Sequence, residues 1–196
     1  PQVPVGQQAQ GSMFDLNDLK ADYGEQLVNQ LRERIRDWRQ SGYQGITSRV
    51  TRDLLAYWFA NPERAPHQKL FFAQQEAIET AIWLNELAEK SNTGTHLLNQ
   101  LRQRHATAGD NPTDQLPRYA FKMATGSGKT VVMACLILYH HLNRHEYRND
   151  TRYCDYFLVV APGITIRDRL KVLIPDIRHD SPQDAQDYYR QRYLLP

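Results

Sequence analysis

The sequence predicts an α/β chain, a parallel sheet flanked by helices and preceded by a helical N-terminal extension. Three observations predict it. Apolar residues recur at helical spacing through the first half of the chain. The run Phe157-Leu-Val-Val160 is continuously apolar, as a strand covered by helices on both faces requires. Between them a glycine-rich turn, Thr125 to Lys129, joins an expected strand to an expected apolar helix. With 196 residues, 41% hydrophobic and 23% charged, the chain suits one folded domain plus an appendage. Lys and Arg exceed Asp and Glu only by 24 to 22, so the charge balance announces no polyanionic partner by itself.

Taken in order, Pro1 to Ser12 is Pro, Gln and Gly with little to bury, and reads as a mobile tail. From Glu25 to Gln40, Leu27, Leu31, Ile35 and Trp38 mark an amphipathic helix. Its arginines Arg32, Arg34, Arg36 and Arg39 read as a solvated face more readily than as phosphate contacts. A second helix is expected from Thr47 to Phe59, capped by Ser48 or Thr47 and stopped at Asn61-Pro62, with Pro62 to His67 as a linker. Phe71 to Lys90 reads as a long helix and Thr95 to Arg104 as a shorter one, followed by a surface loop from His105 to Gln115. The period then changes. Arg118 to Met123 is expected as a strand, Lys129 to Leu142 as a helix, Asp155 to Ala161 as a second strand and Ile164 to Leu173 as a further helix, before a tyrosine-rich ending. There is no internal repeat.

Cys135 lies in an apolar helical run and Cys154 just before an apolar segment, so both are expected as buried free thiols in a reducing cytoplasm. No apolar run approaches the roughly 20 residues that cross a bilayer, and no basic segment followed by an apolar core opens the chain. The sequence therefore reads as soluble, with no membrane partner.

The chemistry concentrates at Met123-Ala-Thr-Gly-Ser-Gly-Lys-Thr130. Gly126 and Gly128 allow backbone conformations that let successive amides point at one anion. The helix that starts beside Gly128 adds its unpaired amides and positive dipole end. Lys129 can reach the β- and γ-phosphates of a nucleoside triphosphate, and the Thr130 hydroxyl can ligate Mg²⁺. Thr125 and Ser127 complete the loop. Met123 stands where the general phosphate-loop pattern has its first glycine. A bare connection between strand and helix would need neither the lysine nor the threonine.

These residues resemble the first motif of helicase-like motors of superfamily two, and within them the motor subunit of type III restriction enzymes. Leu70-Phe-Phe-Ala-Gln74-Gln-Glu-Ala77-Ile resembles the glutamine motif of such motors. There the resemblance implies that Gln74 pairs with adenine and favours ATP over GTP, an amide offering one donor and one acceptor edge. Phe157 to Leu170 is similar to the strand and turn that touch the translocated nucleic-acid backbone. Gly163, Thr165 and Arg167 are the implied contacts, with Arg169 as an alternative to Arg167 and a plain helix cap as the other reading of Thr165. Tyr188 to Pro196 resembles a segment found after that turn, and packing is its default role.

The resemblance implies a partial RecA-like lobe at 67–196, preceded by a tail and helical extension at 1–66. It implies ATP and Mg²⁺ as cofactors, Lys129 as the catalytic cation, double-stranded DNA as a partner, and a modification or specificity subunit as another. The acidic motif that orients the attacking water is not found after Ala161, nor is a second lobe. The sequence is therefore expected to be an N-terminal fragment that binds nucleotide and is inactive alone. Two rivals remain: a phosphate-loop ATPase unrelated to nucleic acid, and a non-catalytic nucleic-acid-binding module using the arginines of the Glu25–Gln40 helix.

Overall fold

The computed structural model describes residues 26–103, 119–179, 181 and 184–196. The expected tail at Pro1–Ser12, the loop at His105–Gln115 and Arg118 lie outside the described residues. The described residues divide between two compact units, one within 1–44 and 82–119 and the other within 45–81 and 120–196.

In the first unit, helix α1 (Leu27–Gln40) buries Leu27, Leu31, Ile35 and Trp38, the stripe its sequence lays out. Its end is closed by paired backbone bonds, Tyr43 N–H to Trp38 C=O at 3.0 Å and Gly42 N–H to Arg39 C=O at 3.0 Å. The Tyr43 ring then meets the Trp38 ring edge-on at 5.0 Å, the apolar contact that such helix ends favour. The arginine face is solvated at Arg34 and Arg36, whereas Arg32 and Arg39 are half-buried.

The second unit opens with helix α2 (Arg49–Leu55), capped by Ser48, whose Oγ accepts the Thr51 N–H at 3.1 Å. One π turn, Ala56–Ala60, extends it to Asn61, where the sequence places its stop. Helix α3 (Phe72–Glu86) follows and ends in a 3₁₀ turn at Ala88–Lys90; the boundary between the two units falls within it. Helix α4 (Asn92–Gln103) belongs to the first unit and packs on that turn and on α1. Helix α5 (Lys129–Glu146) is the longest described, at 18 residues. It is fastened to α2 through Asn143, fully buried, whose Oδ1 accepts from the Ser48 hydroxyl and, at 3.2 Å, from the Thr51 hydroxyl. Its Nδ2 donates to the Tyr139 carbonyl at 2.8 Å.

Helix α6 (Ile164–Arg169) runs into a 3₁₀ turn at Leu170–Leu173, and a short helix α7 (Tyr188–Gln191) leads to the described end. The tyrosine-rich ending packs: Tyr189 donates its hydroxyl to Leu173 C=O at 2.8 Å, and Trp58 Nε1 donates to Leu194 C=O at 2.8 Å. Arg64 is buried beside it, with Nη2 donating to Gln68 C=O at 2.6 Å and the guanidinium 5.0 Å from the Tyr57 ring.

The expected parallel sheet is not found. Among the described residues the structure is helical, with no strand at 119–123 or 155–161. A strand exists only when a neighbouring backbone takes up its N–H and C=O groups, and neither segment belongs to a β-ladder. Nor is the apolar run covered on both faces: Tyr156, Leu158 and Val160 are 94%, 90% and 81% exposed, against 38% and 40% for Phe157 and Val159. This alternation is that of an extended chain leaning on its surroundings by one side only. On that side Phe157, Val159 and Ala161 line a cavity of about 780 Å³ together with Ile137 and Leu138 of α5. Apolarity signalled a buried strand; the pairing that would make one is missing.

The expectation for the cysteines holds in part. Both are free, and Cys135 is buried, where desolvation pushes its thiol up; Cys154 is exposed instead, because the segment it precedes is not buried.

Candidate nucleotide-binding site

The loop between residue 123 and α5 is shaped by its two glycines. Gly126 and Gly128 both adopt φ = 79°, a left-handed conformation that costs an L-residue side chain roughly 1–2 kcal/mol. At Gly126 a Cβ would meet nothing, so only the backbone angle demands glycine there. At Gly128 a Cβ would also collide with the side-chain amide of Gln74. The turn between them is closed at Ala124, whose carbonyl accepts from Ser127 N–H at 3.3 Å and Ser127 Oγ at 2.7 Å.

Gly128 is the residue preceding α5, and its carbonyl takes the Val131 N–H at 2.9 Å. The first amides of a helix have no partner within it, so Lys129 and Thr130 offer their N–H groups at the positive end of an 18-residue dipole. Lys129 Nζ folds over the start of the loop and donates to the carbonyls of Met123 and Ala124, 2.8 Å each. An ammonium has three N–H donors, which leaves a third for an anion held by the loop. Thr130 is half-buried on the first turn of the helix.

Gln74 comes to this loop from the first turn of α3. Its side chain is buried, 4% exposed, and its Nε2 donates to the Ser127 carbonyl at 3.1 Å. Its Oε1 accepts the N–H of Phe71 at 2.9 Å. Neighbouring Gln75 faces elsewhere and donates to Glu79 at 2.7 Å, in keeping with the ~100° step between successive helix residues.

The structure therefore brings Gln74, Ser127 and Gly128 together and wraps Lys129 around the same loop. Gly163, Thr165 and Arg167 sit on a separate exposed turn. Gly163 precedes α6 with an extended backbone and no side chain caps that helix, so Thr165 is inside the helix and is not its cap. Arg167 lies 3.8 Å from Asp168 in an exposed pair. Pattern reading missed the Gln74–Ser127 bond, a contact across 53 residues, and the Asn143 cluster that anchors α5. Only Ser48 carried a local signal, its placement before an apolar helical run.

The residues present fit a triphosphate: the glycine turn and the start of α5 offer backbone N–H donors, and Lys129 an ammonium. For magnesium the Thr130 hydroxyl is one suitable ligand. Among the described residues no group of three or more His, Cys, Asp or Glu could hold a metal.

Comparison with known families puts the chain in the class of helicase-like ATPase domains of restriction enzymes. The matching family model is that of the type III restriction enzyme, res subunit; it covers residues 67–192, well over half of the chain, and the chain belongs to this family. No curated protein and no solved structure matches it. No helix among the described residues is long and apolar enough to cross a membrane.

Proposed function

We propose that the loop from Thr125 to Thr130 binds the triphosphate of ATP with Mg²⁺, and that in the working enzyme hydrolysis there drives movement along double-stranded DNA. The observation that carries this reading is the pair of left-handed glycines in the loop leading into α5, with Lys129 reaching back to the carbonyls of Met123 and Ala124 at the loop's start. Backbone amides at a helix start and a lysine ammonium are the donors that hold an anion. Thr125, Gly126, Ser127 and Gly128 supply the cradle, with Gln74 behind it. Lys129 neutralises charge that builds on the transferring phosphoryl group, and Thr130 helps hold the ion. The Thr130 hydroxyl would be a ligand for magnesium, which when bound would supply positive charge beside the phosphates.

In this reading 67–196 forms the first part of the ATP-binding region and 1–66 an extension to it. The turn at Gly163, Thr165 and Arg167 meets the DNA backbone, its exposure and basic side chain being the support. A modification or specificity subunit is the protein partner, and the free thiols Cys135 and Cys154 favour the cytoplasm.

The test is calorimetric titration of MgATP into the chain and into Lys129→Ala. Loss of one charge-assisted contact should weaken binding by about ten- to a hundredfold. Equal affinities for the two proteins would remove the reading.

A further inference from the structure

We propose that the cavity between α5 and the extended segment at 155–161 is a binding site for a small amphipathic anion, an apolar chain that ends in a carboxylate. The site is separate from the phosphate loop. Its volume is about 780 Å³, and every residue that lines it belongs to the second unit. Sites that enclose small molecules occupy roughly 300–1,000 Å³.

Three elements each turn one side to this cavity. Helix α5 contributes Ile137, Leu138, His141 and Leu142, neighbours on successive turns of one helix face. The extended segment contributes Asp155, Phe157, Val159 and Ala161, every second residue along the chain. From α6 and the 3₁₀ turn after it come Arg167, Leu170, Lys171 and Ile174, spaced by three and four so that they share a face. The walls are therefore set by the periodicity of their elements. Their apolar members give a hydrocarbon chain a place out of water, which is the main drive for binding such a body.

The charges decide the head group. Both acidic residues of the lining are engaged from within the protein. Asp155 Oδ1 lies 2.6 Å from His141 Nδ1. Asp187 is buried and accepts from Arg190 Nη2 at 2.9 Å and from the Asp176 N–H at 2.8 Å. The two cations of α6 are held more loosely. Lys171 Nζ and Arg167 Nη2 lie 2.9 Å and 3.8 Å from the same oxygen of Asp168, a residue outside the lining, and all three side chains are at least 47% exposed. Exposed pairs of this kind are weak. Like charges one turn apart on a helix face repel each other. A carboxylate beside Lys171 and Arg167 relieves that repulsion, and a chain attached to it runs over Leu170 and Ile174 into the cavity.

Octanoate and octanol share a chain and differ in the head, so calorimetric titration of each into the 196-residue chain tests the two halves of the proposal separately. Octanoate should bind the more tightly by about three- to tenfold, as expected for contact with two exposed cations. Lys171→Glu should weaken octanoate by a similar factor and leave octanol as it was; the turn at Gly163, Thr165 and Arg167 is untouched by this change. Val159→Trp fills the cavity and should abolish binding of both ligands. Leu158→Trp alters the opposite side of the same segment, at a position 90% exposed, and should bind both as the parent does. Thermal unfolding is recorded for every variant. If Val159→Trp does not fold, Ala161→Leu reduces the same cavity from two residues further on.

Equal affinity of the parent for the two ligands, or equal loss of both in Lys171→Glu, would overturn the acidic head. Equal losses in Leu158→Trp and Val159→Trp would put the ligand on the exposed side of the segment and overturn the cavity as its site. A parent chain that binds neither ligand would overturn the proposal whole. None of these results touches the phosphate-loop reading, which stands or falls with the Lys129→Ala titration.

Discussion

Gly126 and Gly128 share one backbone angle and differ in surroundings, so alanine at each position separates conformational strain from collision. Gly126→Ala adds a methyl group in open space at φ = 79° and should pay only the left-handed cost, about 1–2 kcal/mol. Gly128→Ala pays the same cost and also drives a methyl into the Gln74 amide. Titration with MgATP should therefore find Gly128→Ala the more damaging, with part of the difference recovered when Gln74 is replaced by Ala in the same chain. Equal losses at the two sites would mean that the Gln74 contact does not constrain the loop. The glycines, lysine and threonine were legible in the sequence because the pattern is local and each residue type has a separate chemical reason. Gln74 was legible as a site residue only through resemblance. Its backbone partners were not, since nothing in a glutamine's neighbours along the chain reveals which carbonyl it meets 53 residues away.

At the scale of elements, the helices were the readable part. The apolar stripe Leu27, Leu31, Ile35 and Trp38 gave α1, and the run after Lys129 gave α5, because a helix satisfies its own backbone and needs only one greasy side. The extended segments were misread for the converse reason: a strand depends on a partner that no local pattern specifies, and Phe157-Leu-Val-Val160 announced burial that its surroundings do not provide. The fastening of α5 to α2 was equally hidden, since Asn143 looks from its position in the sequence like an ordinary residue near a helix end. Asn143→Ala would leave the Ser48 and Thr51 hydroxyls without their buried acceptor. Loss of this shared acceptor should cost about 1–3 kcal/mol. The midpoint of urea unfolding should fall accordingly. MgATP affinity measured without denaturant should change little, because the phosphate loop is at the opposite end of α5. A variant as stable as the parent would show that the cluster contributes nothing to holding the two helices.

For the whole molecule, one carboxyl ties stability to acid. Asp176 takes a hydrogen bond from His179 Nδ1 at 2.8 Å and from the N–H groups of Arg178 and Gln186, 3.0 Å each. These partners, the His179 contact foremost, hold its carboxyl at about 2, below the ordinary 3.8. A carboxyl depressed in the folded state stabilises it fully above the ordinary value, and that contribution disappears as the pH falls from about 3.8 to about 2. Stability measured by denaturant across this interval should decline more gently for Asp176→Asn than for the parent; parallel curves would exclude the carboxylate as the cause. At this scale too, the family assignment argued from three stretches agrees with the match over residues 67–192, although the sheet expected with it is not found among the described residues. The half-covered segment at residues 156–160 also bears on handling. Five uncharged residues with three side chains turned outward form the kind of sticky, β-prone stretch that promotes precipitation in concentrated samples. Leu158→Lys, at a site 90% exposed, should raise the solubility limit while leaving MgATP titration and melting temperature as they were. Unchanged precipitation would clear this stretch of blame.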